Sequence, residues 1–217
     1  MFVRRRMKKD VVTISKDSTL SEAKGTMRKH GINQLPVMDA DKIIGIISKR
    51  DIQAATMPLL LLDEIEEGKI RESLATTSVT KLMTKNPILA NVNDTLEDAV
   101  ILMHDYKINS LPVLTDEGNL VGIISKTDIL EAFIEALGVK EASQRLEVVV
   151  ADEPGALAEV VNTIKQCNTN LISVMTTPHP SGKKRIVYLR VATINILPIK
   201  EALEKKDIEI LDPRNAS

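Results

Sequence analysis

The chain repeats itself. Met7, Leu20, Ala23, Met27, Asn33, Leu35, Pro36 and Val37 recur 76 positions on as Met83, Leu96, Ala99, Met103, Asn109, Leu111, Pro112 and Val113. The interval then grows by one residue, so that Gly45-Ile46-Ile47-Ser48-Lys49-Arg50-Asp51 returns as Gly122-Ile123-Ile124-Ser125-Lys126-Thr127-Asp128. A single insertion in a turn is where a repeat tolerates one best. Whatever one copy folds into, the other must match, and two units that leave apolar faces uncovered bury them on each other.

Each copy reads as strand, amphipathic helix, two strands, helix. In copy one the first helix is expected from about Thr19 to Lys29, with Leu20, Ala23 and Met27 on one face. It opens with Thr19-x-x-Glu22, mirrored by Thr95-x-x-Asp98, and both are capping-box patterns. Gln34–Met38 and Lys42–Ser48 are short apolar runs split by the polar Asp39-Ala40-Asp41 turn. Ser48 and Ser125 suit the N-cap of the following helix. Asp51 and Asp128 then fall in its first turn, where a carboxylate complements the positive end. Capping alone explains one such motif. Its return in a matching context points to a second, shared use.

The helix ending in His30-Gly31 or Tyr106-Lys107, the Leu-Pro-Val strand and the Gly-Ile-Ile-Ser-x-x-Asp close resemble the CBS domain. The tandem resembles the CBS pair, or Bateman module, over about residues 5–135. That resemblance implies an adenosine-containing ligand (AMP, ADP, ATP or a related adenosyl compound) in clefts between the repeats, with no cofactor required. It implies ribose hydroxyls on Asp51 and Asp128, for which an acceptor-only carboxylate is suited. Ser48, Lys49 and Arg50, with Ser125, Lys126 and Thr127, would face ribose or phosphate beside the helix N-terminal amides. The backbones of Leu35-Pro36-Val37 and Leu111-Pro112-Val113 would edge the base. The family's hydroxyl at the end of the first strand is Thr13 in copy one, but Leu89 stands there in copy two. With Arg50 against Thr127, this predicts two unequal sites.

The remaining chain divides by composition into repeat one at 1–56, a helical connector at 57–78, repeat two at 79–140 and a last domain at 144–217. In the connector, Met57-Pro58 and Leu59–Leu62 are far too few to span a bilayer, and Asp63–Gly68 reads as a helical stretch closed near Gly68. Leu130–Leu137 continues as an amphipathic helix to Gly138, a C′ cap and domain boundary. Beyond it, strands at Arg145–Val150, Asn170–Thr176, Arg185–Val191 and Ile208–Leu211 alternate with helices to give βαββαβ, a ferredoxin-like order. The overall class is α/β (α+β). The Asp152-x-Pro154-Gly155-x-Leu157 turn makes this part resemble an ACT domain. The resemblance implies side-by-side pairing and a small effector such as an amino acid near Asp152, Gly155 and Ala156, unless Pro154 and Gly155 only shape the turn. Two CBS copies followed by an ACT domain resemble the B component of bacterial acetoin-utilisation systems. This implies a cytoplasmic regulator, homodimeric through the CBS pair or the ACT domain, acting on an unidentified protein and linked to acetoin or acetyl-group metabolism.

Charge and motif content narrow the function. Lys and Arg total 29 against 30 Asp and Glu, a net charge of −1. Only Phe2, Tyr106, Phe133 and Tyr188 are aromatic. Both facts weigh against nucleic acid. Arg4-Arg5-Arg6, Lys8 and Lys9 read as a solvated basic end without the apolar stretch of a secretion signal. The single Cys167 excludes an internal disulfide and fits a reducing compartment. His30, His104 and His179 lack metal-ligand spacing, and the chain has no P-loop, dinucleotide fingerprint or nucleophile elbow. Neither catalysis nor a metal nor membrane insertion is expected.

Overall fold

Alternating apolar runs and capped helices give each copy the same local structure. The computed structural model describes residues 1–60 and 67–211. Copy one forms β1 (Ile14–Ser15), α1 (Leu20–His30), β2 (Gln34–Asp39), β3 (Lys42–Ser48) and α2 (Lys49–Leu60), and α3 (Glu67–Thr76) follows. Then β4 (Thr84–Lys85) leads into copy two, with β5 (Ala90–Asn91), α4 (Leu96–Asp105), β6 (Ser110–Leu114), β7 (Leu120–Ser125) and α5 (Lys126–Ala136). In both copies the first strand runs parallel to the second and the second antiparallel to the third.

Both capping boxes form. Thr19 Oγ1 accepts from Glu22 N at 3.3 Å and Glu22 Oε2 accepts from Thr19 N at 2.7 Å, an arrangement repeated at Thr95 and Asp98. The Thr95 hydroxyl holds the Asp98 carboxyl below its ordinary range. Thr19→Ala should therefore lower unfolding stability by about 1 kcal/mol. A urea melt superimposable on wild type would show that the box adds nothing.

The connector departs from the sequence reading at one point. Gly68 lies in the first turn of α3, not at a helix end. Backbone N–H groups there have no intrahelical partner, so a glycine is easily accommodated. Leu61, Leu62 and Asp63–Glu66 lie outside the described residues.

Packing brings out what periodicity could not. The core of copy one gathers Leu20, Ala23 and Met27 of α1, Leu35 and Val37 of β2, Ile47 of β3, and Val79. Val79 belongs to the arm that precedes copy two. Its N–H donates to Ser18 O, and Leu20 N donates to Thr77 O, both at 2.9 Å. The counterpart holds 76 residues earlier: Val3 is fully buried, Val3 N donates to Asp94 O, and Leu96 N to Met1 O. The N-terminal segment is thus anchored on copy two through Val3, while Arg4, Arg5, Lys8 and Lys9 stay exposed in line with the solvated basic end read from the sequence. Each copy lends its leading arm to the other.

The exchange extends to the sheets. β4, which precedes copy two, pairs with Gly45 and Ile46 of β3, and Lys8 exchanges backbone bonds of 2.9 and 3.0 Å with Ile123 of β7. A Cβ on Gly45 would stand 2.5 Å from Met83 Sδ, and one on Gly122 would collide with Met7 Sδ. The repeated glycines are where the exchanged arms pass too closely for any side chain.

The C-terminal unit comprises β8 (Gln144–Ala151), α6 (Ala156–Gln166), β9 (Leu171–Pro178), β10 (Lys184–Val191), α7 (Leu197–Glu204) and β11 (Glu209–Ile210). Its antiparallel sheet has the order β11-β8-β10-β9, the ferredoxin-like βαββαβ arrangement. Val160 and Ile164 of α6 and Ile199 and Leu203 of α7 pack on Leu146, Val148, Val187 and Leu189. The chain divides into two compact units after Ile129. The reason is local. Ser173 Oγ donates to Leu137 O at 2.9 Å, and Gly138, in the left-handed conformation at φ +62°, lies against Ile172.

Candidate functional site

β3 ends at Ser48 and α2 begins at once, so one short turn places Ser48 and Asp51 together. Asp51 Oδ2 accepts from Ser48 N at 2.8 Å and Ser48 Oγ at 2.7 Å, while Ser48 Oγ accepts from Asp51 N at 3.2 Å. This is reciprocal helix capping. It uses only one carboxylate oxygen. Asp51 Oδ1 makes no hydrogen bond or ion pair among the described residues.

A cleft of about 650 Å³ opens beside Asp51, within the range of small-molecule sites. Ser48–Asp51 form one wall, the exchanged arm through Thr84 and Asn86–Ile88 another, and the turn Tyr106–Ser110 after α4 a third. Ser110 Oγ donates to Gln34 Oε1 at its edge. Gln34 and Ser110 are each other's counterparts, so this bond lies on the pseudo-twofold axis between the copies.

Asp128 repeats the capping geometry, accepting from Ser125 N at 2.8 Å and from Ser125 Oγ. Its second oxygen differs: Lys8 Nζ lies 3.6 Å from Oδ1. Lys8 is the counterpart of Thr84, so arm exchange brings a cation to one carboxylate and a hydroxyl to the other cleft.

Of the residues singled out from sequence, Ser48, Lys49, Arg50 and Asp51 line the cleft together. Ser125, Lys126, Thr127 and Asp128 hold the equivalent turn of copy two. Leu35, Val37, Leu111 and Val113 are wholly buried, and Pro36 and Pro112 are buried beside them. Asn33 and Gln34 at the start of β2, and Asn109 and Ser110 at the start of β6, line the cleft. Thr13 is not brought to Asp51. It is exposed in a separate depression of about 450 Å³ shared with Lys9, Val11 and Asn119. Near the C-terminal turn, Asp152 is exposed with Arg185 Nη1 3.7 Å from its carboxylate, and Ala156 is half-buried. Gly155 has φ +96°, so the turn itself calls for glycine there.

Thr84, Asn86, Tyr106 and Lys107 escaped the sequence reading. Each is a position where the copies differ, with Lys8, Asp10, His30 and Gly31 as counterparts. A comparison of the copies by difference would have found them.

Residues 3–57 and 79–135 match the CBS domain. The chain belongs to the CBS-domain family. Residues 142–214 match the TTHA0829-like ACT domain. The CBS domain-containing protein DDB_G0289609 of Dictyostelium discoideum is 33% identical over 138 residues, covering 63% of this chain and 94% of that protein. The inosine-5′-monophosphate dehydrogenase of Methanocaldococcus jannaschii is 31% identical over 204 residues, 94% of this chain. The chain spans only 36% of that enzyme's length, and 27% of the corresponding enzyme of Korarchaeum cryptofilum. Among solved structures, the CBS pair of MJ0100 in complex with 5′-methylthioadenosine and S-adenosyl-L-methionine superposes with a TM-score of 0.51 at 28% identity, covering 61% of this chain and 99% of that one. ATU1752 from Agrobacterium tumefaciens gives 0.53 at 32% identity, over 62% of this chain and all of that one. Among the described residues, no cluster of acidic, His or Cys side chains is placed to hold a metal ion, and no helix is long and apolar enough to cross a membrane.

Proposed function

We propose that this CBS pair senses an adenosine-containing ligand without catalysing a reaction, and that the cleft at Asp51 is its principal site. The observation that carries the reading is Asp51 itself: one oxygen caps α2 and the other is unspent at a cleft of about 650 Å³. Ribose hydroxyls donate to Oδ1, and a 5′ phosphate lies toward the α2 N-terminal amides with Lys49, Arg50 and Lys107. Pro87, Ile88 and the Tyr106 ring supply an apolar flank for the base. MJ0100, which binds two adenosyl compounds, supports this ligand class.

Regulation requires that the ligand bind one arrangement of the copies better than another. The exchanged arms give such a difference a physical basis, since a ligand on Asp51 touches both copies at once. α5 opens with the second Ser-x-x-Asp turn and continues past Ile129 into the next compact unit, a covalent route toward the ACT-like domain. A homodimer acting on a partner protein is part of the proposal. A role in acetoin utilisation rests on domain order alone, and ligand binding does not depend on it.

A thermal-shift panel of AMP, ADP, ATP and 5′-methylthioadenosine tests the reading. A ligand at 100 times its dissociation constant adds about 2.7 kcal/mol, roughly 5–10 °C for a chain of this size. At least one compound should raise the wild-type melting temperature and act less on Asp51→Ala. Four flat responses on wild type at millimolar ligand would refute adenosyl sensing.

A further inference from the structure

A small cavity lies on the helix-free face of the C-terminal sheet, and the adenosyl reading makes no use of it. Leu146, Val148 and Val187 face the helices. Arg145, Glu147, Tyr188 and Arg190, one residue out of phase, therefore fall on the opposite face. Strand register places Ser173, Arg190 and Arg145 in one row, and Met175, Tyr188 and Glu147 in the next. Leu137 and Val139, just after α5, complete a cavity of about 200 Å³ over these rows. We infer that it binds a short aliphatic monocarboxylate that carries no amino group. The Asp152–Ala156 turn follows the far end of β8, so this place is separate from the effector position expected there.

The two arginines differ in what they have left to give. Arg145 is paired with the Glu147 carboxylate and lies over the Tyr188 ring, 5.9 Å from its centre. Arg190 has no carboxylate partner among the described residues. Its Nη1 donates to Ser143 Oγ at 3.2 Å, and Ser143 Oγ donates in turn to Glu141 O at 3.0 Å. Neutral groups thus hold the half-buried guanidinium in place while its charge stays unmatched. A carboxylate can take two of its remaining N–H groups at once. The Tyr188 hydroxyl, also without a hydrogen-bond partner among the described residues, is a further donor.

Charge and size set the ligand class. Among the described residues no acidic side chain lines the cavity, and the neighbouring Glu147 is spent on Arg145. An ammonium group there would meet two guanidinium groups and no counter-charge, which excludes an amino acid. One unmatched cation balances a monoanion, whereas a phosphate dianion would keep a charge uncompensated. Leu137, Val139 and Met175 form the apolar wall. Val139 and Met175 are 47% and 44% exposed, so a hydrocarbon chain laid on them removes apolar surface from water. The volume falls below that of drug-sized sites and keeps the chain short.

The experiment is an NMR titration of the full chain, labelled at its methionine methyl groups, with 4-methylpentanoate and with leucine. The two probes differ only by the amino group. The Met175 methyl signal, assigned through Met175→Leu, should move saturably with the acid, half-saturating on the order of 1 mM. Leucine should bind at least about ten-fold more weakly. Arg190→Gln should weaken the acid by about ten-fold, one charge-assisted contact discounted for exposure. Val139→Asp puts a carboxylate on the exposed part of the wall, where it leaves the fold intact. It should weaken the acid by a similar factor and narrow the gap to leucine. No saturable movement of the Met175 signal by about 20 mM acid, leucine bound as tightly as the acid, or an affinity that neither variant changes would overturn the assignment. Each of those results leaves adenosyl sensing at Asp51 untouched.

Discussion

Gly45→Ala should lower the stability of the protein by about 2–3 kcal/mol, the cost of overpacking a contact that cannot relax. The new Cβ would meet Met83 Sδ at 2.5 Å and Thr84 O at 2.9 Å. The methionine can swing aside, but the carbonyl belongs to β4, held in register with Gly45 and Ile46. Moving it breaks the ladder that joins the arm of copy two to copy one. Gly122→Ala should be milder, at about 1 kcal/mol, because its close contacts are to the flexible Met7 side chain and the nearest backbone atom, Lys8 O, stands at 3.2 Å. Gly25 provides the opposite sign. It lies inside α1 with nothing within 4 Å of the place a Cβ would take, so alanine there should stabilise by up to about 1 kcal/mol through helix propensity. Urea unfolding of the three variants would rank them. Equal losses at Gly45 and Gly122, or a gain at Gly45, would mean that the exchanged arm does not set the need for glycine.

That exchange is also the part of the fold that the sequence hides. Repeated identities such as Leu35 with Leu111 reveal two equivalent units, and the capping boxes at Thr19 and Thr95 locate their helices. Identity cannot tell whether the Met83–Lys85 segment pairs within its own copy or on the other, because both choices satisfy the same pattern. Val3 shows the same limit from another side. One valine beside three arginines has no periodicity, and only the pocket it fills on copy two explains its burial. The C-terminal unit was more legible, since β10 alternates with Val187, Leu189 and Val191 on its core-facing side and α6 presents Val160 and Ile164 to that core. At the cleft, Ser48 and Asp51 were visible because they repeat. Thr84, Asn86 and Lys107 were not, because their counterparts Lys8, Asp10 and Gly31 differ from them and a search for repeated residues passes over such positions.

Asp51→Asn should reduce affinity for an adenosyl ligand by roughly ten- to a hundredfold, the loss of hydrogen bonds to a charged acceptor, while leaving the fold nearly as stable as before. The two consequences separate because the carboxylate oxygens have separate duties. The amide oxygen of asparagine can take over Oδ2, accepting from Ser48 N and Ser48 Oγ, whose present distances are 2.8 and 2.7 Å. The amide NH₂ then occupies the place of Oδ1. It offers donors to ribose hydroxyls that had been donating to an anion. Asp51→Ala removes the cap as well and should add about 1 kcal/mol of destabilisation. Paired titration and thermal melting of the two variants therefore divide capping from ligand recognition. If Asp51→Asn binds like wild type while Asp51→Ala merely melts earlier, the aspartate is a helix cap and nothing more. If affinity falls in both variants and stability falls only in the alanine, a single side chain closes the helix with one oxygen and receives the ligand with the other.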